Sequence, residues 1–280
     1  MAVKLLNLPA GSEVILPSYT WVSCAQSIVM AGLKPIFCDV DLTTMNVRTS
    51  DIERSITKKT SAIMVVDYAG LPVKIDEISQ LGYPIIEDAA QAIGSEYKGK
   101  KVGSFGDISA FSLHPLKNLN AFGDGGIVST NSKKIYDYFN KARNHGLKNR
   151  DSCEFWSFNC RLDELQAGLL RIKLKDLPNA IKLRQSIAKR FLNGIINPKV
   201  KLPEFRKENN HVWHLFVVRV TDRNRFIEYM KKQEIQTSIH YPIPPHKQKA
   251  YSEYEHLSFP ITEKIHQEVV SLPLNESLTK

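Results

Sequence analysis

Along the first third of the chain, short apolar runs alternate with amphipathic stretches, the pattern of βαβ units that build a parallel sheet. Residues 13–17, 35–40, 61–66 and 83–87 read as strands, and their near-continuous apolar character suits burial on both faces. Between them, residues 23–31 read as a helix stopped by Gly32. Residues 51–56 read as a second helix, with Ser50 as N-cap and Glu53 at the capping-box position, and 75–81 as a third. Asp88 then falls at the carboxyl end of a buried strand, where open α/β sheets place ligand-binding residues. Further on, Leu165, Leu169, Ile172 and Leu177 recur at helical spacing and predict a long amphipathic helix over 162–177. The pattern loosens around 191–203. Beyond it, residues 211–220 read as a strand, 223–232 as a helix and 235–241 as another strand. The expected organisation is a large domain over 1–190 and a smaller α+β domain over 191–280.

With 280 residues, 42% of them hydrophobic, the chain can bury roughly three quarters of its unfolded surface, enough for a large domain with a smaller appendage. No run approaches the ~18 apolar residues of a membrane span, and the start, Met1-Ala2-Val3-Lys4-Leu5-Leu6, is too short and polar for a secretory signal. Cys24, Cys38, Cys153 and Cys160 form no CxxC pair, and the first two lie in apolar segments, which suits buried thiols in a reducing compartment. The expected location is the cytoplasm, with no membrane association. A formal charge of +9 is spread along the chain without a basic arm or a basic-aromatic module, so no nucleic-acid partner is expected, while the positive field would suit a diphosphate-bearing substrate. His211 and His214, three apart on an expected strand, would face opposite sides, so no metal site is expected.

The chemistry concentrates between Asp88 and Gly126. Lys117 stands in the apolar context Phe111-Ser112-Leu113-His114-Pro115-Leu116, where desolvation would lower its pKa and leave an amine able to form a Schiff base. An upstream carboxylate, an intervening hydroxyl and this lysine are the parts that pyridoxal phosphate (PLP) needs: an acid for the pyridinium, a phosphate ligand and an imine partner. Gln91 follows Asp88 by three positions and would share its face if the chain turned helical there. Alone, Asp88 would also suit a helix N-cap, and Ser112 a hydroxyl capping some backbone amide. Trp21, just after a strand end, suits either the core or, beside Asp88 and Lys117, a flat cationic ring. Gly123-Asp124-Gly125-Gly126 is followed by an apolar run rather than a helix, so it reads as tight backbone near the lysine and not as a dinucleotide fingerprint.

Glu87-Asp88-Ala89-Ala90-Gln91-Ala92, Phe111-Ser112-Leu113-His114-Pro115-Leu116-Lys117-Asn118-Leu119 and Gly123-Asp124-Gly125-Gly126 together resemble the sugar aminotransferases of the DegT/DnrJ/EryC1/StrS family, a branch of the fold-type I PLP enzymes. The similarity runs from Gly11 to Leu274. It implies an α/β fold with a mostly parallel sheet, PLP as cofactor, and amino transfer from an amino acid, glutamate by expectation, to a nucleotide-linked keto sugar. A dTDP-3-keto-6-deoxyhexose is the expected sugar, for amino-sugar, cell-surface polysaccharide or lipopolysaccharide biosynthesis.

By the same resemblance, Lys117 is the imine lysine and proton carrier, Asp88 pairs with the ring nitrogen, Gln91 reaches the phenolic oxygen, Trp21 stacks on the ring and Ser112 binds the phosphate. Phe158-Asn159-Cys160-Arg161 resembles the family's Asn-Tyr-Arg segment, which places Asn159 at the partner's cofactor in a homodimer with shared sites. Read alone, Asn159 suits a turn and Arg161 an interface. His240-Tyr241-Pro242 resembles the family's substrate loop, although a proline-stiffened surface loop is equally compatible with it; His114 either contacts substrate or shapes a turn.

Related PLP-dependent sugar dehydratases carry histidine where this chain has Lys117, and a non-catalytic member would keep the fold without the chemistry. Both ends look cut relative to the family pattern, with a phosphate-binding Ser-Gly-Thr-type loop and a final helix expected outside the chain. The expected consequence is weak PLP binding and weak or absent activity.

Overall fold

The computed structural model describes residues 1–204 and 209–278. Its centre is a six-stranded sheet. The strands are β1 (Glu13–Pro17), β2 (Lys34–Cys38), β3 (Thr60–Val66), β4 (Ile85–Asp88), β5 (Ile108–Ser112) and β6 (Gly126–Ser129), in the order β2-β1-β3-β4-β5-β6. All neighbours pair in parallel except β5 and β6, which are antiparallel. Because the central strands are covered on both faces, β1 is buried at all five positions and β3 at six of seven. Alternate side chains feed two cores. Val14, Leu16, Met64 and Ile86 pack with Cys24, Ala25 and Ile28 of helix α1 (Val22–Val29) on one face. Ile15, Ile63, Val65 and Ile85 pack with Ile52 of α2 (Thr49–Glu53) and Ile75 and Ile78 of α3 (Ile75–Ser79) on the other.

Helix α1 ends at Val29, two residues short of the expected end at 31, and Gly32, with a positive φ of 78°, lets its own N–H and that of Leu33 reach the last carbonyls, at 2.9 and 3.1 Å. The expected capping box does not form. Ser50 lies inside α2, Arg48 is the N-cap residue, and the first-turn carboxylate of buried Asp51 is instead clamped by the guanidinium groups of Arg48 and Arg54. Two cations on one carboxylate outcompete a neutral serine cap at this position.

The sheet is followed by α4 (Lys133–Ala142) and the 31-residue α5 (Glu164–Gly194). Helix α5 buries Leu170, Leu177, Ile181, Arg184 and Ala188 within the chain, but Leu165 and Ile172 remain 79% and 68% exposed. The expected apolar face is therefore split, and only one stripe meets this chain's core. A further core forms where β7 (Phe216–Arg219) pairs antiparallel with β8 (Val269–Leu272) beneath α6 (Arg223–Lys232), with α7 (Pro260–Glu268) leading into β8.

Of two strand expectations here, one is shortened and one is not met. The strand expected from 211 starts at Phe216, because Trp213 turns left-handed (φ 49°) and His211 stacks on it at 3.9 Å between ring centroids while accepting its N–H. Residues 235–241 form no strand; Ser238 alone bridges to Ser271. Among the described residues, no helix is long and apolar enough to cross a membrane, and no group of three or more His, Cys, Asp or Glu could hold a metal ion.

Candidate active site

Strands β4 and β5 lie side by side, so the carboxyl end of one carries Asp88 next to the loop on which the other carries Lys117. Each oxygen of Asp88 is held. Oδ2 accepts from the thiol of Cys24 at 2.9 Å and Oδ1 from the backbone N–H of Ala90 at 3.0 Å. The lysine loop is clamped at both ends by Leu113 N–H on the Gly125 carbonyl and Ala121 N–H on the Leu113 carbonyl, both 2.8 Å, with Leu113, Leu119 and Ala121 buried. A Cβ on Gly125 would come within 3.1 Å of Leu162 and 3.3 Å of Leu113, so the close backbone approach expected of the glycine cluster is present. Half-burial pushes the Lys117 amine below the ordinary lysine pKa, while the charge of Asp88 pulls it back up in part. A larger fraction of this amine is unprotonated, and nucleophilic, than in a solvated lysine.

Beyond Asp88 the chain makes successive turns and no helix, so Gln91 is placed by tertiary contacts rather than by helical spacing. Its Oε1 accepts from the Ala69 N–H at 2.6 Å and its Nε2 donates to the Tyr241 hydroxyl at 2.9 Å. A backbone N–H can only donate, which settles the amide orientation and turns the donor end toward Tyr241. Tyr241 packs against Trp21 with 5.1 Å between ring centroids, and Trp21 is 55% exposed, so it is not a core tryptophan. Burial, together with the nearby Cys24 and Asp88, pushes the Tyr241 phenol upward and keeps it neutral.

The carbonyl of His240 accepts from the hydroxyls of buried Tyr19 and Tyr68, at 2.5 and 2.8 Å, and its Nδ1 meets Ser271 Oγ at 2.8 Å. Burial and then the charge of Lys117 lower the pKa of His240. Asp88, Lys117, Gln91, Trp21, Tyr241 and His240 thus form one neighbourhood at the carboxyl ends of the strands.

Ser112 ends β5 with its Oγ accepting from the His114 N–H at 3.3 Å, and exposed His114 uses Nδ1 to accept the Leu116 N–H at 3.2 Å, which is a turn-shaping contact. Asn159 is not joined to this neighbourhood by any contact within the chain among the described residues. It is exposed, its Oδ1 accepts from Arg161 Nε at 2.9 Å, and its backbone bridges to Asn144. Sequence reasoning missed Cys24, Tyr19, Tyr68 and Asn118; only Asn118, adjacent to the lysine, carried a local signal.

A family model described as the DegT/DnrJ/EryC1/StrS aminotransferase family matches residues 1–280. The chain belongs to that family. Among its relatives, the dTDP-3-amino-3,6-dideoxy-alpha-D-galactopyranose transaminase of Aneurinibacillus thermoaerophilus is 44% identical over 100% of this chain and 78% of its own length. The solved structure of DesV from S. venezuelae is similar with a TM-score of 0.96 at 34% identity, covering 100% of this chain and 78% of that one. NtdA of Bacillus subtilis, solved with its cofactor PMP bound, gives 0.91 at 29% identity over 99% of this chain and 67% of that one.

This aminotransferase is a fold-type I enzyme, and PLP is its cofactor. The residues present fit that group in their chemistry: a carboxylate acceptor, an amine of lowered pKa, an amide donor of settled orientation and an open indole face. When bound, PLP supplies an electron sink for charge developing at the donor's α-carbon.

Proposed function

We propose that this PLP-dependent sugar aminotransferase moves an amino group from glutamate to a dTDP-linked 3-keto-6-deoxyhexose, in a cytoplasmic pathway to amino sugars of cell-surface polysaccharide or lipopolysaccharide. The observation that carries this reading is the 44% identity, across the whole chain, to a transaminase of a dTDP-3-amino-3,6-dideoxygalactose. In it, Lys117 is the group that takes a proton from the donor's α-carbon and returns one to the opposite side of the exchange. Its pKa, lowered by burial, supports that double duty, since a larger share of the amine is free to accept a proton than in a solvated lysine. Asp88 holds the ring nitrogen protonated, Gln91 donates to the ring's phenolic oxygen, Trp21 covers the ring, Ser112 binds the phosphate, and His240, Tyr241 and His114 meet the sugar.

The active unit in this reading is a homodimer. Leu116, Phe122, Trp156, Phe158, Leu165 and Ile172 are each more than half exposed, an apolar population that a second copy would bury. The same dimer brings Asn159, which makes no contact with the Asp88–Lys117 neighbourhood of its own chain among the described residues, to the partner's phosphate. Within each copy we infer a large domain over 1–190 and a smaller one over 191–280.

The test is a product assay with glutamate and a panel of dTDP- and UDP-linked keto sugars. A dTDP-linked 3-amino-6-deoxy product, lost in Lys117→Ala, is the expected outcome. Turnover restricted to UDP sugars would overturn the substrate assignment, and turnover retained in Lys117→Ala would overturn the role of the lysine.

A further inference from the structure

We propose that Cys24 is a positioning residue for this reaction, its thiol donating to Asp88 Oδ2 so that the carboxylate stays oriented toward the cofactor's ring nitrogen. The inference rests on the reading that Asp88 faces that nitrogen. Cys24 is the third residue of α1, is 3% exposed, and has its Sγ 2.9 Å from Asp88 Oδ2 and 2.9 Å from Thr20 Oγ1. An ionised carboxylate only accepts, so the sulfur must be the donor on that side, and the Thr20 hydroxyl then donates to sulfur. Burial, with the negative charge of Asp88 added, pushes the Cys24 thiol well up, so it keeps its proton and remains a donor.

The carboxylate is thus held from two sides: by α1 through Cys24 and by the turn after β4 through the Ala90 N–H. A donor on a carboxylate stabilises its charged form. With PLP bound, an Asp88 held in this way would accept from the ring's N–H, the contact through which the ring would serve as an electron sink. A buried cysteine in an apolar helix would otherwise serve only as a small hydrophobe. The relay from Thr20 through Cys24 to Asp88 is what sets this one apart.

The experiment titrates the cofactor-stripped 280-residue chain, up to millimolar ligand, with PLP and with its 1-deaza analogue, which lacks the ring nitrogen. It compares wild type, Cys24→Ala, Cys24→Ser, Cys24→Val and Asp88→Asn. The expected result is that Cys24→Ala and the volume-filling Cys24→Val lower the preference for PLP over the analogue by about tenfold. Binding of the analogue is unchanged, and Cys24→Ser, which keeps a donor, retains the preference. In turnover, Cys24→Ala lowers kcat with the keto-sugar KM unchanged.

An unchanged preference in both donor-free variants overturns the proposal, as does equal weakening of both ligands, which would mean a packing role. Asp88→Asn separates the two levels of the argument. If it lowers the preference and the cysteine variants do not, only the positioning role fails; if it leaves the preference intact, the reading of Asp88 fails.

Discussion

Asn118 ties the lysine loop to the segment around residue 214, and its removal has a cost that can be worked out from four atoms. Its Nδ2 donates to the Val212 carbonyl and its Oδ1 faces His214 Nδ1, both at 3.1 Å. A carbonyl only accepts, so the amide orientation is settled and His214 must carry its proton on Nδ1. Burial, then Lys117 and Arg184, push the pKa of His214 well down, so its ring is neutral. Asn118→Ala deletes two hydrogen bonds and leaves a buried imidazole N–H and a carbonyl without these partners.

At about 1 kcal/mol per lost bond plus the desolvation of groups left unpaired, the expected destabilisation is about 2–4 kcal/mol. That corresponds to a fall in Tm of about 3–7 °C for a chain of this size. The loop is still clamped by its backbone bonds at Leu113 and Ala121, so Lys117 stays near its place. A displacement of a fraction of an ångström should lower kcat by about tenfold. Urea unfolding, calorimetry and steady-state kinetics measure the three quantities. A variant within about 0.5 kcal/mol of wild type, the ordinary range for surface substitutions, would refute the tether.

Asp88→Asn is nearly isosteric and should retain part of the cofactor binding while losing most of the turnover; wild-type rates would make Asp88 a structural residue. Mixing inactive Lys117→Ala with inactive Asn159→Ala should restore part of the activity through hybrid dimers, and a mixture as inactive as its components would place Asn159 outside the partner's site. His266 is buried with its pKa lowered from 6.5 to about 4, mainly by burial. Its folded value lies below its unfolded one, so the stability it contributes is full above pH 6.5 and is lost as the pH falls toward 4. The unfolding free energy of wild type relative to His266→Gln should therefore fall by about 1.4 kcal/mol per pH unit across that window. A difference independent of pH would show that His266 titrates normally.

What the sequence determined by itself was whatever depends on neighbours along the chain. Strand β1 spans Glu13–Pro17 and helix α6 spans Arg223–Lys232 as periodicity and composition predicted, and Asp88 ends its strand as the apolar run before it required. Lys117 stood out because its apolar context is written within a few residues of it. Short-range pattern is enough there, since burial of a continuous run and desolvation of a nearby amine follow from the same residues.

The partners of those groups were a different matter. Gln91 meets Tyr241 across 150 residues and Asp88 meets Cys24 across 64, contacts that exist only once the folded chain brings those distant segments together. The amphipathic reading of α5 was right about the helix, but periodicity counts apolar positions without saying which neighbour covers them. Leu177 found this chain's core, and Leu165 and Ile172 did not. Ser50 lies inside α2, where two arginines clamp the neighbouring Asp51, and residues 211–214 left the strand because His211 and Trp213 stack on each other. In each case a side-chain interaction with a geometry of its own outweighed a local propensity of less than about 1 kcal/mol, and only the folded chain decides which such interactions are within reach.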